Sequence, residues 1–149
     1  MKSIAINKPG SPWYIDIGLA LLILLWLYTG LSKIFRHEHF VFQMGLSPAK
    51  LVSANKEILS WSVPIIELLI VAMLSFAKPR KLGLVFSILL LIVFEIYIIS
   101  MLYNGHLPCA CGGVVGLLGW KEHVVFNAVY LLIAIAVYFS EYPRVRKRE

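Results

Sequence analysis

The stretch Leu82–Tyr103 reads LGLVFSILLLIVFEIYIISMLY, with Glu95 as its single Asp, Glu, Lys or Arg residue. A bilayer core is about 30 Å thick, and roughly 20 largely apolar residues on a helix cross it. This stretch is the most uniformly apolar of four that meet the requirement. The others run over about 14–35, centred on the unbroken Leu19–Leu27, over about 58–76, and over about 123–139. The last is short, although Leu117, Leu118 and Trp120 can extend it. Trp13, Tyr14, Trp61, Tyr103, Trp120, Tyr138 and Tyr142 fall near the ends, where amphipathic rings favour the membrane interface.

Composition agrees. The 149 residues are 60% hydrophobic and 15% charged, with a mean hydropathy of +0.82. Soluble domains carry about 45–50% apolar and about 25% charged residues. Disordered chains, coiled coils, collagen-like repeats and disulfide-dense scaffolds are excluded, and two cysteines close one bridge at most. A net charge of +6 in a soluble protein would suggest nucleic acid. Here the basic residues lie between apolar runs, so topology accounts for them and the lipid bilayer, not nucleic acid, is the expected partner. The expectation is an all-α integral membrane four-helix bundle, one membrane domain over residues 1–149.

Lys and Arg in the connections set the orientation. Lys2 and Lys8, then Lys78, Arg80 and Lys81, then Arg144, Arg146, Lys147 and Arg148 share one side, nine of the fourteen. Lys33, Arg36, Lys50, Lys56 and Lys121 fall on the other. Both termini are therefore expected in the cytoplasm of a bacterium, with the chain multi-pass in the inner membrane. The alternative, a signal peptide cleaved near Gly30-Leu31-Ser32, is disfavoured by the long apolar run and by bulky Trp26 and Tyr28 before the site. The outer loop, about 37–57, contains Gly45-Leu46-Ser47-Pro48, which marks a turn or a break between short helices. Its His37 and His39, beside Arg36 and Glu38, read as solvated.

The segment from Asn104 to Glu122 is then periplasmic and faces an oxidising compartment. It holds His106-Leu107-Pro108-Cys109-Ala110-Cys111-Gly112-Gly113, the only cysteines in the chain. Cysteines at i and i+2 on an extended strand have Cα atoms about 7 Å apart, at the limit for a bridge, so a disulfide demands a tight turn. Pro108 and Gly112-Gly113 supply the fixed and the permissive backbone for one. A bond closed in so small a ring is strained, and strained exposed bonds exchange readily. Cys109 and Cys111 are accordingly candidate catalytic residues of a redox pair. Two other chemistries fit the same residues: an inert local bridge, and a soft-metal site drawing on His106 and His123.

Glu67 and Glu95 lie within spans, where a carboxylate costs roughly 2.5–3.5 kcal/mol on insertion scales unless it is protonated, paired or turned inward. Their depths allow the two to share a hydrogen bond or a proton, and Lys33 is another partner for Glu67. Glu67, Glu95 and Lys33 are candidate cofactor-binding residues, with interhelical glue as the competing reading. Asn127 reads as glue. Gly83 and Ser87 form a small-xxx-small pair suited to close helix packing.

Together these elements resemble the MauE/DoxX group of redox-associated membrane proteins, MauE in particular. The resemblance rests on Gly30-Leu31-Ser32-Lys33 ending the first span, Glu67 in the second, Pro108-Cys109-Ala110-Cys111-Gly112 after the third, and Leu118-Gly119-Trp120 followed by Asn127. It implies a role in maturing periplasmic proteins, including disulfide formation in methylamine metabolism, alongside a thioredoxin-like or other thiol-containing partner. DoxX-like relatives include a subunit of a thiosulfate–quinone oxidoreductase. Four spans with an outward cysteine pair also look like the plan of DsbB and vitamin K epoxide reductase. Those enzymes use two cysteine pairs, so one pair here must hand its electrons to a partner or directly to a cofactor, for which a quinone is the candidate. The alternatives are a non-enzymatic membrane anchor or assembly subunit with a structural bridge, and a small transporter or metal-binding protein that uses the intramembrane carboxylates.

Overall fold

The computed structural model describes residues 12–103 and 120–145. Among these residues the chain forms six helices and no strand: α1 (Trp13–Phe35), α2 (His37–Gly45), α3 (Lys50–Ala54), α4 (Lys56–Ser75), α5 (Arg80–Tyr103) and α6 (Trp120–Val145). Four of them, α1, α4, α5 and α6, are long and apolar enough to cross a membrane. The expected all-helical membrane architecture is therefore present. α6 extends beyond the apolar run from which its span is read, because Lys121, Glu122 and Glu141 belong to the helix although they do not belong in hydrocarbon.

The long helices pack as a ring in the order α1, α4, α5, α6. Their facing residues form a core of Ile15, Leu19, Leu22, Leu25 and Trp26 from α1, Ile70 and Leu74 from α4, Leu84 and Leu91 from α5, and Ala134 and Val137 from α6. On α1 these positions recur at three- and four-residue intervals, the spacing that keeps one helical face toward its neighbours. The remaining faces carry exposed Leu, Ile, Val and Phe, such as Leu24, Leu69, Leu89 and Leu132. That pattern, apolar inside and out, belongs to a bundle surrounded by lipid.

Trp26 crosses the middle of the ring. Its indole Nε1–H donates to Ser87 Oγ at 2.7 Å, and both side chains are buried. The bond ties α1 to α5, which are not neighbours in the ring. It also gives the indole N–H the partner that a buried donor needs where no water is available.

Between α4 and α5 the chain turns in four residues, Phe76-Ala77-Lys78-Pro79, closed by Gly83 N–H donating to Pro79 O at 2.9 Å. Nearby, Arg80 pairs with Glu141 at 3.5 Å and joins α5 to α6. Gly83 lets the two helices approach closely. A Cβ there would stand 2.9 Å from Met73 Cβ and 3.1 Å from the Leu74 backbone N. The small-xxx-small pair thus serves two ends, Gly83 against α4 and Ser87 against Trp26.

At the opposite end, where α1 and α5 finish and α4 and α6 begin, the short helices α2 and α3 lie on either side of the break expected at Gly45-Leu46-Ser47-Pro48. This is the distal end of the bundle. α2 packs on α4 and α1. The break between α2 and α3 spans Leu46–Ala49, and its Ser47 is buried. Ser47 Oγ accepts from Tyr97 O–H at 3.0 Å and from Ala49 N–H at 3.3 Å, which fastens the break to α5.

Overpacking a close helix contact costs about 1–3 kcal/mol. Gly83→Val is expected to lower the detergent-solubilised protein's melting temperature by several degrees, and Gly83→Ala by less, because the alanine methyl already crowds Met73 Cβ and the Leu74 backbone, neither of which a rotamer change can move, and valine adds two more methyls at the same contact. Thermal unfolding of the two purified variants beside the parent checks the order.

Candidate functional site

The distal half of the bundle encloses a cavity of about 320 Å³, within the size range of small-molecule sites. All six helices line it, α3 through Val52 alone. From α1 come Trp26, Thr29, Ser32 and Lys33; from α5, Leu91, Phe94, Tyr97 and Ile98; from α6, His123, Phe126 and Asn127; and from α4, Leu59 and Val63. α2 closes the end. Arg36, at its N-terminal boundary, and His39, Phe40, Gln43 and Met44 recur at helical spacing and all line the cavity. The reading of His37 and His39 as solvated holds for His39, which is exposed although it borders the cavity, and not for His37, which is half-buried. The signal for the closure by α2 is present in the sequence as Phe40 and Met44, an i, i+4 apolar pair that makes one face of α2 seek the bundle. His39 turns to the cavity, whereas His37 packs its ring on Trp61 with centroids 4.2 Å apart.

The polar centre of the wall is an ion pair. Lys33 Nζ lies 2.7 Å from Glu67 Oε1; the Glu67 side chain is fully buried, and that of Lys33 is 21% exposed. The ammonium also donates to Thr29 O at 3.4 Å and sits 5.7 Å from the ring centroids of both Phe40 and Phe94. The Thr29 side chain lies beside the carboxylate. Close packing of α1 on α4 brings the pair together: a Cβ on Gly30 would lie 3.3 Å from Leu68 and 3.4 Å from Glu67 Cβ. The second oxygen, Glu67 Oε2, is buried without a hydrogen-bond partner.

A second polar cluster stands on the α5–α6 side. Asn127 Nδ2 donates to Glu95 Oε2 at 2.7 Å and to Leu91 O at 3.0 Å. One amide thereby joins the two helices and satisfies a carboxylate, as expected of glue, while also lining the cavity. His123, one turn earlier on α6, is within electrostatic reach of both Lys33 and Glu95.

The structure therefore separates the three intramembrane candidates. Lys33 lines the cavity. Glu67 stands behind it and meets the cavity through Lys33, and Glu95 stands behind Asn127. The proton or hydrogen bond that Glu67 and Glu95 are positioned by depth to share is not formed. Each is bonded instead to a donor on the helix it packs against, because azimuth around the helix, as well as depth, selects the partner. Cys109, Cys111 and His106 lie outside the described residues. Among the described residues, no group of three or more His, Cys, Asp or Glu side chains comes together to hold a metal ion.

Fold and site define a small multi-pass helical membrane protein with an apolar, aromatic-lined cavity at one end of its bundle. The family model described as "Methylamine utilisation protein MauE" matches residues 11–140. The chain belongs to the MauE family. No curated protein and no solved structure matches it.

Removing one partner of a buried ion pair costs about 3–5 kcal/mol, whereas replacing both by apolar groups of similar volume is often neutral. Lys33→Met alone should destabilise strongly, leaving Glu67 unpaired. The double variant Lys33→Met/Glu67→Met should recover most of the loss. A double-mutant cycle on thermal stability in detergent reads this directly, and additive losses would show that the pair is not coupled.

Proposed function

We propose that this MauE-family protein supports thiol–disulfide exchange for the maturation of periplasmic proteins, acting through Cys109 and Cys111 from the bacterial inner membrane. In this reading both termini are cytoplasmic, the Cys-x-Cys segment faces the periplasm, and the partner is a thioredoxin-like or other thiol-containing periplasmic protein. The family's description names methylamine utilisation, so that system is the first place to seek the client.

The observation that carries the reading is positional. Cys109 and Cys111 belong to the segment joining Tyr103, the last residue of α5, to Trp120, the first of α6. Those two helix ends stand at the same end of the bundle as the cavity. A pair tethered there has a protein partner on the aqueous side and an apolar pocket on the membrane side.

The chemistry balances as an exchange. A partner thiolate attacks one sulfur of the Cys109–Cys111 disulfide, forming a mixed disulfide and releasing the other cysteine as a thiolate. The partner's second thiolate then displaces the first cysteine, leaving the partner oxidised by two electrons and Cys109 and Cys111 reduced. The reduced pair regains its bond by giving two electrons and two protons to an acceptor. A bridge closed across Ala110 alone would be strained, and strained disulfides are the more oxidising ones.

Alkylation in intact cells tests the reading. With a membrane-impermeant maleimide, Cys109 and Cys111 should label only after mild reductant. Cys109→Ser and Cys111→Ser should differ, one accumulating a mixed disulfide on non-reducing gels and the other abolishing it. Partner oxidation that is unchanged in both variants would overturn the proposal and leave a structural bridge in an assembly subunit.

A further inference from the structure

We propose that the distal cavity binds a neutral planar ring with two hydrogen-bond-accepting carbonyls and a hydrocarbon tail, the chemistry of a membrane quinone, held by Lys33 and His123. The ring's use as the two-electron acceptor rests on the thiol–disulfide reading.

The polar inventory of the cavity selects the head group. Among the described lining residues there is no carboxylate, and the ionisable ones other than Tyr are Lys33, Arg36, His39 and His123. A ligand that relies on its own cation finds no anion there. An ammonium has three N–H donors. Glu67 Oε1 and Thr29 O take two from Lys33, leaving one for a ligand. His123 stands on another wall, on α6 across from Lys33 on α1. Donors on two walls suit a ligand with acceptors on two edges.

Charge then separates a carbonyl from an anion. Lys33 is already neutralised by Glu67 at 2.7 Å, so a carboxylate or phosphate entering beside it meets a net-neutral pair while losing its own hydration, which is costly in an apolar site. A carbonyl sheds far less hydration for the same hydrogen bond. Arg36 is exposed and also lines the cavity, which makes an anionic amphiphile the outcome to exclude.

Shape and surroundings select the rest. Phe40 and Phe94 flank the Lys33 ammonium at equal distance, and Trp26 packs near Phe94 with centroids 6.3 Å apart. Aromatic faces at these spacings accept a flat ring by offset or edge contact. The neighbouring wall of Leu25, Val63, Leu91 and Ile98 suits hydrocarbon. The cavity lies between membrane-crossing helices, where a tailed ligand is already concentrated by partitioning.

The probe is decylubiquinone, titrated into the full-length protein in phosphatidylcholine nanodiscs, with tryptophan quenching and melting temperature as readouts. Wild type and the Cys109→Ser/Cys111→Ser variant should bind it saturably with equal affinity. His123→Phe and Lys33→Met/Glu67→Met, the latter keeping the bundle neutral, should each weaken binding about tenfold, the scale of one lost hydrogen bond. Oleate and phosphatidylglycerol should fail to displace the ring. Non-saturable binding to wild type, affinity unchanged in both variants, or displacement by oleate as effective as by excess quinone would overturn the proposal. Saturable binding in a protein whose cysteines do not exchange would overturn the thiol–disulfide reading and leave this one standing. Intact exchange with no saturable binding would do the reverse.

Discussion

The bundle is organised around a charge that cannot be left alone. Glu67 is fully buried in a helix of a protein that lives in hydrocarbon, and its Oε1 rests 2.7 Å from Lys33 Nζ. The carboxylate is not tolerable there without a partner. The pair fixes the rotation of α4 against α1, and Gly30 permits the approach that lets it form. It also determines what faces the cavity. The ammonium is held between two phenyl rings by a carboxylate that is itself hidden, so the cavity gains a hydrogen-bond donor without gaining net charge.

The second determinant is a set of polar groups that bond from one helix to another. Trp26 to Ser87 joins α1 to α5, Asn127 to Glu95 joins α6 to α5, and Tyr97 to Ser47 joins α5 to the break between α2 and α3. Lipid tails are as apolar as the exposed leucines, so burial alone gives helices little reason to prefer one neighbour or one rotation. These bonds supply that preference. Three of the residues involved, Trp26, Tyr97 and Asn127, also line the cavity. The contacts that specify the bundle therefore shape the site as well.

Much of this is legible in the sequence. Four long apolar runs predict four membrane-crossing helices because a bilayer tolerates little else. Lys33 is readable as a partner for Glu67, and Asn127 as interhelical glue, because each intramembrane polar group demands company. What depth alone does not reveal is azimuth, and so Glu67 and Glu95, at similar heights, find different partners. The sequence marks a break between short helices here, but that α2 packs on the bundle is harder to read, because its start carries Arg36, His37, Glu38 and His39. Its apolar face is four residues apart, not twenty long. The cavity depends on that face, with Phe40 and Met44 lining it, and on tertiary closure that no local pattern announces.

The ion pair also bears on how the chain enters the membrane. Lys33 stands in the last turn of α1, and Glu67 follows only after α2, α3 and the first half of α4. During synthesis the lysine is therefore in place before its carboxylate exists. Near a helix end a lysine can extend its ammonium toward the headgroups and wait. Glu67, deep in α4, has no such refuge, so α4 is best accepted into the bilayer as one arm of a hairpin with α1, the earlier helix acting as an intramolecular chaperone for the later one.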